Sequence, residues 1–178
     1  MRIMMTASHG GHDPERIPIG GGAAVCERLV RAWAGRPDVS LTLVDGASLV
    51  DKIPSALGEL DYARFCREFE RLSTKLALEQ RPDVVLCHDV SEGPDFEQLA
   101  RVGIPCVTVF HVDVVNFFCR LYLFGLSPVL ASSAWRRLRA LPMPDVLRIV
   151  FDKQEAAVRF SSRVVLPSPG MADEIRTY

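Results

Sequence analysis

The sequence predicts an α/β domain, doubly wound, with a mainly parallel sheet flanked by helices, and three observations predict it. Short apolar runs alternate with longer stretches of helical periodicity, the order that βαβ units write into a chain. The runs are almost continuously apolar, as expected of strands covered on both sheet faces. Polar side chains stand where the runs stop, at Asp45, His88-Asp89 and His111.

The first strand spans Arg2 to Thr6, and a polar loop follows through His9 and His12 to Gly20-Gly21-Gly22. Helix one places Val25, Leu29 and Trp33 at i, i+4 and i+8, on one helical face. Strand two covers Val39 to Val44 and ends at Asp45-Gly46. A long amphipathic helix then runs from Asp61 to Gln80, with Tyr62, Phe65, Phe69, Leu72 and Leu76 recurring at spacings of three and four. Pro82-Asp83 opens strand three, Val84 to Cys87, which stops at His88-Asp89. A short helix from Phe96 to Arg101 closes at Gly103, and strand four, Cys106 to Phe110, stops at His111. A mostly helical region reaches Phe160, followed by strand five, Arg163 to Leu166, and a last helix opened by Ser168-Pro169. That helix meets Tyr178 without a stop signal, so a continuation is expected.

A length of 178 residues suits one well-packed domain. With 48% hydrophobic and 24% charged residues, the chain has the means to build a core and is not of the disordered class. A net charge of −1 gives no electrostatic footprint for nucleic acid. Cys26, Cys66, Cys87, Cys106 and Cys119 form no C-x-x-C pair, so buried free thiols in a reducing cytoplasm are expected rather than zinc or redox chemistry. No signal-peptide core precedes the first strand, which agrees with a cytoplasmic location. The most apolar window, Val112 to Ala131, is interrupted by Asp113, Asn116, Arg120 and Gly125, which argues for a buried helix or one lying on a membrane surface and against a membrane span. Basic residues from Arg136 to Arg163 form either a solvated face or a contact for phosphates or anionic lipid.

In open α/β sheets, ligands bind beyond the carboxyl ends of the strands. Four places qualify: the loop after strand one, Asp45, His88-Asp89, and His111 with Asp113. The triple glycine either lets backbone amides and a positive helix end approach an anion or sugar, or serves a turn that needs positive φ. It matches neither the dinucleotide fingerprint nor a P-loop, and Asp45 lacks the glycine motif that would make it a ribose-binding acid. His111 is either a hydrogen-bonded core histidine or a crevice-facing one, and Asp89 is placed to fix the tautomer of a neighbouring histidine. A metal site built from His9, His12, His88 and His111 lacks an i,i+4 pair, and none is expected. A G-x-S-x-G elbow is absent.

Four features, in order, resemble the glycosyltransferase family 4-like N-terminal domains of GT-B enzymes. They are the Gly20-Gly21-Gly22 loop opening helix one, the strand "RPDVVLCHD" (Arg81 to Asp89), the strand "GIPCVTVFH" (Gly103 to His111), and "EAAVRFSSRVVLPSPGMADEI" (Glu155 to Ile175). The resemblance implies a Rossmann-like domain, one half of a GT-B fold, spanning 1–178. It implies transfer of a sugar from a nucleotide-sugar donor with retention, no metal or other cofactor, and His111 as the catalytic-site histidine beside the transferred sugar. Gly20, Gly21, Gly22, His88, Asp89, Asp113 and Ser168 would line the donor and acceptor sites. The partners implied are a C-terminal donor-binding domain, in the same chain or another, and a sugar acceptor that could be lipid-linked, with peripheral contact at the inner membrane face. A partner-dependent binding subunit and a sugar-nucleotide epimerase-like protein are the alternatives, and "SHGGHD" (Ser8 to Asp13) matches no part of the family pattern.

Overall fold

The computed structural model describes residues 1–8, 21–46 and 57–178. Five strands, β1 (Arg2–Ala7), β2 (Ser40–Asp45), β3 (Val84–Cys87), β4 (Cys106–Val109) and β5 (Arg163–Val165), form one sheet in the order β2-β1-β3-β4-β5. Every pairing is parallel. Eight helices accompany them among the described residues: α1 (Gly21–Trp33), α2 (Glu59–Gln80), α3 (Phe96–Arg101), α4 (Val114–Tyr122), α5 (Pro128–Leu138), the single turn α6 (Asp145–Leu147), α7 (Lys153–Phe160) and α8 (Pro169–Ile175).

Side chains alternate between the two sheet faces, and the register aligns them into rows. Met4 lies beside Val85, and Val85 beside Cys106. This row packs with Phe65 and Phe69 of α2, Phe96 and Leu99 of α3 and Ala157 of α7 in the main core. Met5 and Ala7 point the other way and pack with Cys26, Leu29, Val30 and Trp33 of α1. Helices therefore pack on both faces, and the fold is Rossmann-like and doubly wound. A third cluster joins Val115 and Cys119 of α4 to Ala131 and Trp135 of α5.

Local sequence explains where the helices start and stop. Asp95 caps α3 by accepting from the Gln98 amide at 2.9 Å, and Gly103, at φ +73, receives the chain as it leaves. Helix α2 ends at Arg81, a left-handed residue (φ 49) whose amide still donates to the Ala77 carbonyl, and Pro82 prevents continuation. Between α6 and α7 the backbone takes a π turn, residues 148–152. The wider turn lets three successive residues be buried: Ile149 joins the main core, while Val150 and Phe151 enter the α4–α5 cluster.

Three sequence expectations need adjustment. On α1 the core face is Ala23 and Cys26 with Leu29, Val30 and Trp33 beside them, whereas Val25 is 40% exposed, because it lies about 200° around the helix from Ala23. The β4–β5 half of the α1 face is open among the described residues: Val165 is 46% exposed, so an apolar strand there does not report a covering helix. Within the apolar window, α4 buries Val115 and Cys119 but leaves Phe117 and Leu121 exposed. No described helix is long and apolar enough to cross a membrane. All five cysteines are free and buried.

Candidate functional site

The strand order turns outward in both directions from β1 and β3, so the crevice of this sheet opens at their carboxyl ends. Ser8 follows β1 and Asp89 lies just beyond β3. The Ser8 amide and hydroxyl both donate to Asp89 Oδ2, at 3.0 and 2.9 Å, tying the two strand ends together across the crevice. The carboxylate is an acceptor of two converging donors and holds the first residue of the loop after β1 in place.

His88 and His111, one residue beyond β3 and two beyond β4, meet on the α1 side. Their rings are nearly parallel, 14° apart, with His88 Nδ1 and His111 Nε2 at 3.1 Å. His88 is buried, and burial followed by the neighbouring His111 lowers its pKa from 6.5 to about 4. It is therefore neutral at physiological pH. Its Nε2 is buried without a hydrogen-bond partner among the described residues. A buried N–H without an acceptor costs more than an unmet lone pair, so the proton belongs on Nδ1, donating to His111. His111 Nε2 is then occupied as an acceptor, which places the His111 proton on Nδ1. Such an imidazole offers the crevice a hydrogen-bond donor rather than a general base.

Gly22, in the first turn of α1, lies against this pair. A Cβ there would stand 3.3 Å from His111 Cδ2, whereas one at Gly21 would meet nothing within 4 Å. Neither has positive φ, so Gly22 is small for close approach and not for an unusual turn. The amides at the start of α1 lack intrahelical acceptors and carry the positive end of its dipole. The structure thus brings Gly22, His111, His88 and Asp89 to one sheet edge. Gly20, His9 and His12 lie outside the described residues.

Two other candidates are occupied in the fold. Asp113 is buried: its Oδ1 accepts from the Asn116 amide at 3.0 Å, capping α4, and from Gln154 Nε2 at 3.1 Å, while Oδ2 accepts from the Tyr178 hydroxyl. Ser168 caps α8, accepting from the Met171 amide at 3.2 Å at an exposed position. Among the described residues no group of three or more His, Cys, Asp or Glu is arranged to hold a metal ion.

On the opposite side of the β1 and β3 ends lies a cavity of about 450 Å³, which includes Ser8, Tyr62, Ser91 and Glu92 in its wall. Glu92 is 9% exposed, and its Oε1 accepts from the Tyr62 hydroxyl at 2.7 Å. Burial, and then the Asp89 charge, raises its pKa from 4.5 to about 7. Sequence reasoning missed this residue because it stands in a loop, away from the strand stops. The signal available was Gly93-Pro94 directly after it. A Cβ on Gly93 would stand 2.6 Å from Phe96 Cζ and 2.9 Å from Cys87 Sγ, so the turn that carries Glu92 is packed tightly into the core. Beneath it, Lys153 donates to Glu70 and, at 2.7 Å, to the Pro94 carbonyl, and lies 5.1 Å from the centroid of Phe96.

Compared with known protein families, with curated proteins and with solved structures, the chain has no significant match. The class that fold and site define is a doubly wound α/β domain with a polar crevice at the carboxyl edge of its sheet.

Proposed function

We propose that the chain is the acceptor-side half of a GT-B glycosyltransferase, acting on a nucleotide-sugar donor with retention and completed by a second, donor-binding domain. The observation that carries the reading is the contact of Gly22 with His111, which sets the amide end of α1 beside a hydrogen-bonding imidazole in the crevice. Chemistry that expels a nucleoside diphosphate needs fixed donors where negative charge grows, and both groups are of that kind. The amides of the first turn of α1 would face the phosphates, and His111 Nδ1–H a sugar oxygen. His88 would act as a positioning residue, holding the His111 tautomer. Because neither ring has to change its proton, the arrangement suits orientation and charge stabilisation rather than proton abstraction.

The α4–α5 hairpin would carry the acceptor or membrane contact. Phe124, between the two helices, is fully exposed at φ 52. A left-handed aromatic costs about 1–2 kcal/mol, and no burial among the described residues offsets it. Phe117, Leu121 and Leu130 are exposed on the same hairpin, with Arg120 next to Leu121 and Arg136 and Arg137 in the last turn of α5. This combination suits an anionic, partly apolar surface.

The test is nucleoside diphosphate release from a panel of nucleotide sugars, using protein purified from its natural source. His111→Ala should lower turnover by about 100-fold, the scale of one lost donor to developing charge. No release from any donor, or a variant as active as the parent, would sink the reading. Tight binding of a nucleotide by this chain alone would instead identify a self-sufficient nucleotide-binding domain.

A further inference from the structure

We infer that the cavity beside Glu92 is a second site, built for a small soluble organic cation, an ammonium group carried on an apolar body. The inference does not depend on sugar transfer and goes beyond it. Tyr62, Phe117, Phe118 and Tyr122 supply aromatic wall, Glu59 and Glu92 supply carboxyl groups, and among the described residues no lysine, arginine or histidine lines the space. A volume of about 450 Å³ is in the range of small-molecule sites. Aromatic faces attract cations through their quadrupoles, and the attraction grows as water is excluded. A buried carboxyl at the inner end supplies the counter-charge, so the wall is complementary to a cation and repels a phosphate or carboxylate.

The groups around Glu92 fit the same reading. Tyr62 donates to it from α2, and Cys66 lies beside Tyr62 on that helix. Asp89, on its own segment, raises its pKa, whereas Lys153 on α7 lowers it only as the weakest of the influences. Glu70 of α2 pairs with Lys153 and so draws that cation's charge away from the cavity. Glu59 stands exposed at the start of α2. An empty site leaves Glu92 close to half-protonated near neutral pH, and an entering cation stabilises its ionised form. No covalent step is involved.

The experiment is calorimetric titration of the full chain with benzyltrimethylammonium, benzyl alcohol and benzoate, at pH 8 and pH 5.5. At pH 8 the ammonium should bind at least tenfold more tightly than the alcohol, with benzoate weaker still. With Glu92 titrating at about 7, the ionised fraction falls roughly 30-fold between the two pH values, and ammonium affinity should fall with it. Glu92→Gln should weaken binding at pH 8 and abolish the pH dependence. Tyr122→Ser, at a half-exposed wall position where the ring stacks on Phe118, should weaken binding several-fold at both pH values and leave its pH dependence unchanged. Equal binding of ammonium and alcohol, a pH-independent affinity in the parent chain, or a Glu92→Gln protein that binds as the parent does would overturn the inference.

Discussion

Replacing Glu92 with glutamine should change the shape of stability against pH, and the size follows from two groups on either side of the same strand end. Glu92 titrates at about 7 when folded and at 4.5 ordinarily. The folded state therefore binds its proton more tightly, and the stability it contributes is full below pH 4.5 and lost as pH rises through 7. At about 1.4 kcal/mol per pH unit the loss is about 3 kcal/mol. His88 acts in the opposite sense. Its folded pKa is depressed from 6.5 to about 4, so its contribution is present above 6.5 and lost as pH falls through 4, again by about 3 kcal/mol. Between pH 4.5 and 6.5 the two slopes oppose and nearly cancel. Glu92→Gln removes one of them. Urea unfolding at pH 4.5, 5.5, 6.5 and 8 should show the variant gaining stability relative to the parent by about 3 kcal/mol across the series, steepest between pH 5 and 7. Parallel curves for the two proteins would refute the argument, because they would mean that Glu92 ionises in the folded chain as it does in the unfolded one.

Other substitutions test the crevice and its supports. Gly22→Ala should displace the His111 ring by a few tenths of an ångström and alter the imidazole nitrogen shifts in NMR, whereas Gly21→Ala, facing open space, should leave them unchanged. Asp89→Asn leaves Ser8 with a neutral acceptor and should lower unfolding free energy by about 1–2 kcal/mol, measured by urea titration. Lys153→Met removes the donor to the Pro94 carbonyl while Glu70, 41% exposed at its side chain, rehydrates; about 2 kcal/mol should be lost, and an unchanged urea midpoint would count against the anchoring role.

The strands were legible because each is a short apolar run with a polar stop, and a parallel sheet makes those stops converge. His88, Asp89 and His111 could thus be placed at one edge from sequence alone, and they are there. What could not be read is the function of a side chain within a turn. Asp113 follows a strand as His111 does, yet an aspartate three residues before a free helix amide becomes a cap, and its carboxylate turns inward. Glu92 was missed for the complementary reason: Gly93-Pro94 marks its turn, but the side chain is held by Tyr62, a residue 30 positions away on α2, which local sequence does not encode. The α1 stripe shows the same limit. Val25 has the correct spacing with Leu29 and Trp33, but the buried positions Ala23 and Cys26 set the phase of the helix and leave Val25 about 200° around from Ala23.

The π turn at 148–152 sets the phase of everything after it. Directly beyond it, Lys153 reaches Glu70 and the Pro94 carbonyl, and Gln154 bridges the Val115 amide and the Asp113 carboxylate. A regular helix turns about 100° per residue, so deleting one residue from the turn would swing both side chains away from their partners together. Chain length in the connection before α6 can drift without that effect. Within the turn a single residue acts as a phase lock, and a chain of the same architecture that lacked it would need different anchors at both positions.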